Sequence, residues 1–510
     1  MNVEIMDTTL RDGEQTTGVS FSPQEKMSIT RLMLEELKVD RVEITSAKVS
    51  KADAEAVSQI AGWAQQNGYI DRVEVLGFVD GNLSVEWIAS RGCKVMNLLC
   101  KSSEKHCREQ LKKTPEQHLA DIKQVLNFAE EKQVSVNIYL EDWSNGMKNS
   151  VDYVYFLIDN LKDTNIKRFM LSDTLGILQP TETADFCSAM VSRYPSLHFD
   201  FHAHNDYDLA VANVLTAVQS GVKGVHVTVN GLGERAGNAP LTSVIAVLHD
   251  HLKATTNIVE SKVNAASKLV ETFSGIRIPN NKPVIGENVF TQVAGVHADG
   301  DNKKNLYFND LLPERFGRRR EYALGKTSGK ANIKNNLKQL GIELDDEILQ
   351  KVTQRIIELG DKKEIITTAE LPFIVSDVLN APQKQLIKIL NYSLSLAYGL
   401  RPTATVKMQI NDEIYEQTAV GHGQYNAVSK AMWKIYKSLN KKTPELIDYA
   451  VVIPPGGQTN AMVHTIITWN FENKTFKTRG LDSDQTVAAI KATMKMLNII
   501  ESGNLADYTG

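Results

Sequence analysis

Short apolar runs alternate with longer helix-patterned segments through the first half of this chain. The runs are Val3–Met6, Arg41–Thr45, Arg72–Val79, Val95–Leu99, Val134–Leu140, Phe169–Leu171, Leu197–His202 and Val225–Val229. Each is bounded by charged or turn residues and apolar enough to be buried on both faces. The segments between them, such as Pro23–Leu37, Ala52–Gln66, Pro115–Glu131 and Leu209–Ser220, carry apolar residues at helical spacing. Strands separated by helices pair in parallel through right-handed crossovers. About eight such units over roughly 250 residues predict an α/β fold closed as a (β/α)8 TIM barrel. The other layout, an open doubly wound sheet, would carry GxGxxG after its first strand, and none follows Met6 here.

A barrel accounts for only part of 510 residues. We expect the barrel over 1–275, linker subdomains over 276–390 with helical patterns such as Ile348–Leu359, and an α+β module over 391–510. The module's strand-like runs are Thr403–Ile410, Tyr449–Ile453 and Ala461–Trp469, and its helical stretches are Asn426–Leu439 and Thr486–Leu497. No repeat is visible. A net charge of −4 argues against nucleic acid or an anionic membrane as partner. The short basic run Arg318-Arg319-Arg320 reads as solvated surface. Cys93, Cys100, Cys107 and Cys187 form no CxxC pair, as expected for reduced thiols in the cytoplasm. No segment approaches the ~20 apolar residues of a membrane span, and no leader pattern opens the chain.

In such barrels the functional rim lies at the C-terminal ends of the strands. The first run ends in DTTLRDGEQ, the fifth in YLED, the sixth in SDT, the seventh in HAHND and the eighth in NGLGERAGN. His202 and His204, two apart on a strand, share a face roughly 6.6 Å apart along the chain and can converge on one cation. Either alone would pass for an ordinary strand histidine. Asp12 offers a carboxylate across the mouth, and such a mixed donor set suits Zn, Mn, Mg or Co. The glycines of GLGERAG fit a phosphate cradle or a tight turn that brings Asn238 round towards that cation.

DTTLRDGEQ, HAHNDYDLAVAN and GLGERAGNA together resemble the Asp-Arg-Glu TIM-barrel metallolyases. These are the 2-isopropylmalate, homocitrate and citramalate synthases, with 3-hydroxy-3-methylglutaryl-CoA lyase as a cousin. The motifs keep the family's order, and the likeness runs through the C-terminal module. The resemblance implies a metal held by Asp12, His202, His204 and Asn238. It implies that Arg11 faces the keto oxygen, that Glu141 is a catalytic carboxylate and that Thr174 binds the substrate carboxylate. His297 and Tyr307 lie outside the barrel and, by the same likeness, reach the neighbouring subunit's site, so a homodimer is expected. The implied reaction condenses acetyl-CoA with a 2-keto acid. His297 is the candidate base for the acetyl methyl, Glu141 its orienting partner, and Arg11 a stabiliser of the alkoxide.

The chain looks most like the citramalate synthase branch, which uses pyruvate. Leu76, Leu99 and Tyr139 match a bulky wall that excludes larger acids by overlap. The alternative is 2-isopropylmalate synthesis from 2-ketoisovalerate. One departure stands against easy transfer: Tyr207-Asp208 follow HND where the wider family carries Leu-Gly or Phe-Gly. In the C-terminal module, the glycine-rich loops Gly421–Tyr425 and Pro454–Gln458 are candidates for an amino-acid effector, isoleucine or leucine.

Overall fold

A computed structural model of the chain describes residues 1–303, 306–361, 368, 371–378, 386–452, 463–482 and 484–502. It divides into two compact units, Met1–Phe290 with Phe308–Arg319, and Thr291–Tyr307 with Arg320–Gly510. In the first, β1 (Glu4–Asp7), β2 (Arg41–Ser46), β3 (Val73–Phe78) and β4 (Val95–Lys101) are followed by β5 (Ser135–Glu141), β6 (Ile166–Asp173), β7 (Phe199–Ala203) and β8 (Gly224–Val227). They pair in that order as a closed barrel. Parallel pairing of β8 back onto β1 sets Glu4 opposite Gly224 and Asp7 opposite Val227. The open sheet is thereby excluded.

Local chemistry starts the connecting helices. Ser22 accepts from Glu25 N, the Glu25 side chain accepts from the Ser22 backbone, and Pro23 opens the helix; Thr114, Gln117 and Pro115 repeat this device. One expected helix is altered. The segment from Pro23 is α-helical only to Arg31, widens into a π-turn over Leu32–Leu37, and stops at Lys38 with φ 65°.

The barrel strands are less uniformly apolar than the runs suggest. Arg41, Glu43, Glu74, Asn97, Asn137, Asp200 and His226 are all buried. Arg41 pairs with Glu74 at 3.2 Å and with Asp200. Asn97 Nδ2 donates to Glu43 at 2.8 Å and Glu74 at 2.9 Å, and Asn137 Nδ2 to Asn97 Oδ1 at 2.9 Å. Buried charges persist only when paired and hydrogen-bonded, which is how these are arranged. Two residues further along their strands lie Leu76, Leu99 and Tyr139. Leu76 and Tyr139 join Met6 and Met170 in a small apolar cluster, with Leu99 packed against it. Gly224 has no room for a side chain, because a Cβ there would overlap the Asp200 carboxylate.

In the second unit, β9 (Thr291–Gln292) pairs with β10 (Glu321–Tyr322). Leu324, Ile333, Leu337, Val352 and Ile356 form a helical core. The antiparallel module begins at Ile387 rather than at 391. Strands β11 (Ile387–Ser395), β12 (Thr403–Ile410) and β13 (Glu413–Val420) precede a helix over Gln424–Ser438. Strands β14 (Glu445–Val452), β15 (Val463–Phe471) and β16 (Lys474–Asp482) precede another over Gln485–Glu501. Each strand triplet is its own sheet, so a three-strand-plus-helix pattern occurs twice although the sequence shows no repeat. Val406, Met432, Ile435, Trp469 and Met496 lie in its shared core. Pro454–Gln458 lie outside the described residues. Gly421 is packed so closely on the Ala427 backbone that a Cβ would overlap it, and Gly423 caps the helix that follows.

Two of the three arginines of the basic run are engaged, and Arg319 between them is exposed. Arg318 donates to the carbonyls of Val284, Gly286 and Glu287, and Arg320 faces Asp301 at 3.5 Å. All four cysteines are free and buried. No helix among the described residues is long and apolar enough to cross a membrane.

Candidate active site

The loop after β1 is a tight turn fixed by its own side chains. The Asp7 carboxylate accepts from Thr9 N at 3.1 Å and Thr9 Oγ1 at 2.9 Å, and Asp12 N donates to Thr8 O at 2.8 Å. Thr9 Oγ1 also accepts from Val229 N at 2.8 Å, tying this loop to the one after β8. Burial pushes the Asp7 carboxyl up to about 7, against the pull of the Thr9 hydrogen bonds.

That turn presents Asp12 to the histidines of β7 and its loop. His202 Nε2 lies 3.3 Å and His204 Nε2 3.8 Å from Asp12 Oδ2. All three residues are buried, and their ligand atoms lie within 4.8 Å of one another. Asn238 joins them through a backbone bridge with His204. Its Nδ2 donates to Leu232 O at 3.1 Å. The glycines of the β8 loop are a tight turn: Gly233 and Gly237 have φ of 153° and 85°, and a Cβ on Gly233 would overlap the Asn238 amide.

Asp12 Oδ1, Asn238 Oδ1 and Nδ1 of both histidines are buried without a hydrogen-bond partner among the described residues. A buried unsatisfied polar atom costs about 1–3 kcal/mol. A cation taking oxygen from Asp12 and Asn238 relieves that cost at both oxygens, and with Nε2 of both histidines facing Asp12 this donor set fits a divalent metal. Burial pushes His204 down to about 4 despite Asp12, keeping it neutral as a ligand must be. Burial opposes ionisation of Asp12, but Arg11 and the two histidines outweigh it and hold the carboxyl well below its usual range.

Arg11 is spread over three partners. Its Nε donates to Glu43 Oε2 at 2.6 Å, Nη1 faces Asp12 Oδ2 at 3.0 Å, and Nη2 donates to the Tyr139 hydroxyl at 3.3 Å. Glu43, fully buried, also accepts from Thr8 Oγ1 at 2.7 Å. Burial raises its carboxyl, yet Arg11, then Asn97 and Thr8, bring it below the ordinary value. The sequence reading missed Glu43. Its available signal was an acidic residue in the middle of an apolar strand run.

The other candidates fall into three groups. Leu76, Leu99 and Tyr139 pack as one wall with Met6 and Met170. Glu141 pairs with Lys101 Nζ at 2.5 Å, a partner also missed, and Thr174 Oγ1 accepts from Asp142 N at 2.8 Å. His297 and Tyr307 belong to the second unit, where their rings lie 4.3 Å apart. Gly300 makes room for Tyr307, since a Cβ there would overlap its ring.

Comparison with known proteins adds to this geometry. Residues 2–270 match the HMGL-like family model, residues 284–364 the homocitrate synthase post-HMGL domain-like model, and residues 365–501 the LeuA allosteric (dimerisation) domain. The chain is 32% identical to the (R)-citramalate synthase of Methanocaldococcus jannaschii over 98% of this chain and 100% of that protein. It is 30% identical to the 2-isopropylmalate synthase of the same organism over 98% of this chain and 94% of that one. Among solved structures, HMG-CoA lyase of Bacillus subtilis aligns with 24% identity and a TM-score of 0.47, covering 55% of this chain and 95% of that one.

Proposed function

The chain belongs to the HMGL-like family, and from that membership we propose that it condenses acetyl-CoA with pyruvate and water, releasing citramalate and CoA. The observation that carries the choice of keto acid is the packed wall of Leu76, Leu99 and Tyr139, whose tyrosine hydroxyl meets Arg11. A methyl group fits against such a wall, whereas an isopropyl group meets it by overlap.

Asp12, His202, His204 and Asn238 are the ligands we assign to a divalent cation, with Mn, Zn, Mg and Co all compatible with the donors. When bound, that ion supplies Lewis acidity to the keto oxygen. Arg11, anchored by Glu43, stabilises the negative charge that this oxygen gains as the new carbon–carbon bond forms. Thr174 takes the substrate carboxylate. His297 removes the acetyl methyl proton, beside Tyr307. Glu141, paired with Lys101, is the catalytic carboxylate. Hydrolysis of the thioester then frees CoA.

Thiol release measured in parallel with pyruvate, 2-ketobutyrate, 2-ketoisovalerate and 2-ketoglutarate tests this reading. Pyruvate should give the highest kcat/KM, by at least about tenfold, the scale of one or two methylenes in a closed pocket. Leu76→Ala should narrow that preference. A better rate with 2-ketoisovalerate would replace this assignment by 2-isopropylmalate synthesis.

The match of residues 365–501 to an allosteric dimerisation domain supports a homodimer with a small-molecule effector. We assign isoleucine as that effector, the end product that fits pyruvate as substrate. Its site is the C-terminal module, near the Gly421–Tyr425 loop. Inhibition requires isoleucine to bind one conformational state better than another. A chain ending at residue 386, before β11, should leave some barrel folded and lose isoleucine inhibition. A soluble, active truncation that stayed fully sensitive would move the effector site elsewhere.

A further inference from the structure

His226 has no part in the chemistry described so far, yet it stands fully buried in the barrel between Tyr139 and Asp200. Tyr139 Oη lies 3.0 Å from His226 Nδ1, and His226 Nε2 lies 3.1 Å from Asp200 Oδ2. Asp200 is held as a carboxylate by Arg41, so it can only accept. His226 therefore carries its proton on Nε2 and offers a bare Nδ1 to the phenol. Arg11 can only donate, so the phenol oxygen accepts from Arg11 and passes its own proton towards His226. Glu43, at 3.5 Å, is the weaker partner for that hydroxyl. The donors thus run one way, Arg11 to Tyr139 to His226 to Asp200.

The hydroxyl of a tyrosine lies on the axis of its second torsion, so hydrogen bonds to that oxygen fix the swing of the whole ring about the first torsion. Here the ring meets His226 edge-on at 5.4 Å, and the hydroxyl is fixed at both sides. We propose that His226, oriented by Asp200, is a positioning residue for keto-acid selection: it pins the Tyr139 hydroxyl so that the ring stands as a fixed wall. This rests on the assignment of Tyr139 to the keto-acid pocket. Without the pin, the ring tilts and larger acids enter.

The ratio of kcat/KM for pyruvate to that for 2-ketobutyrate reads the wall directly. Tyr139→Phe and His226→Gln should each lower this ratio at least about tenfold, the scale of a methylene in a closed pocket. His226→Asn, whose amide stands near the position of Nδ1, should restore most of it. The double variant Tyr139→Phe with His226→Gln should be no worse than either single change, because both remove one contact. Thermal unfolding and metal content are followed in each variant. An unchanged ratio in Tyr139→Phe overturns the proposal even if the His226 variants fail to fold, and so do additive losses in the double variant. Should the wild-type protein itself prefer a larger acid, the pyruvate assignment falls, while the shift between variants still decides the role of His226.

Discussion

Removal of divalent metal by a chelator should abolish CoA release, and returning Mn, Zn, Co or Mg should restore it. The basis is the set of buried donors that the protein's own hydrogen bonds leave unused, Asp12 Oδ1 and Asn238 Oδ1 among them. His204→Ala takes away one of two converging imidazoles. It should weaken metal affinity by more than the roughly 10–100-fold that loss of an outer partner of a ligand costs. Binding also gives a readout independent of turnover. Metal at a hundredfold excess over its Kd stabilises the folded state by about 2.7 kcal/mol. Titration into stripped wild-type protein should therefore raise the unfolding midpoint, and the same titration into His204→Ala should raise it much less. Full activity in protein shown to be metal-free by elemental analysis would end the Lewis-acid reading.

The barrel was legible because its strands are short apolar runs separated by helices long enough to cross back. What the runs hid was their inner face. Glu74 and Asn97 each sit singly in an apolar stretch, where one polar residue leaves no periodic signal, while Arg41 with Glu43 and His198 with Asp200 alternate along their strands without showing which partners they meet. Only closure of the barrel brings them together, so the network that anchors Arg11 is a tertiary fact. The His202 and His204 pair was readable because its spacing of two is local geometry. Strand β6 extends back to Ile166 through charged residues that make no apolar run. Strand β13, EIYEQTAV, is mostly exposed and so lacks the pattern that revealed β12. His297 and Tyr307 were reachable only by resemblance, since a loop histidine and tyrosine have no spacing that points to chemistry. Their ring contact is what the structure adds.

Replacing Arg11 should produce a large catalytic loss. Loss of one donor to a developing oxyanion costs on the order of 10²–10³ in kcat, and Arg11→Ala also removes the partner of Glu43, Asp12 and Tyr139. Arg11→Lys should recover little, because one ammonium cannot span three acceptors set around a planar fork. Stability should fall as well, by about 3–5 kcal/mol, the range for a buried pair broken from one side. The sign of its pH dependence follows from Glu43. In the wild type its folded-state carboxyl is held below the ordinary value, so it contributes stability above the carboxylate range that is lost on acidification. In Arg11→Ala the burial of Glu43 prevails and the folded-state value rises above the unfolded one. The deficit of the variant should therefore grow as pH rises through the carboxylate range and shrink in acid. Adding Glu43→Gln removes the stranded charge, so the double variant should regain much of the stability and none of the rate. Urea unfolding at two pH values, together with kcat/KM from thiol release, measures both effects. If Arg11→Ala kept its rate within tenfold of wild type, Arg11 would be a structural partner of Glu43 and some other group would have to carry the oxyanion.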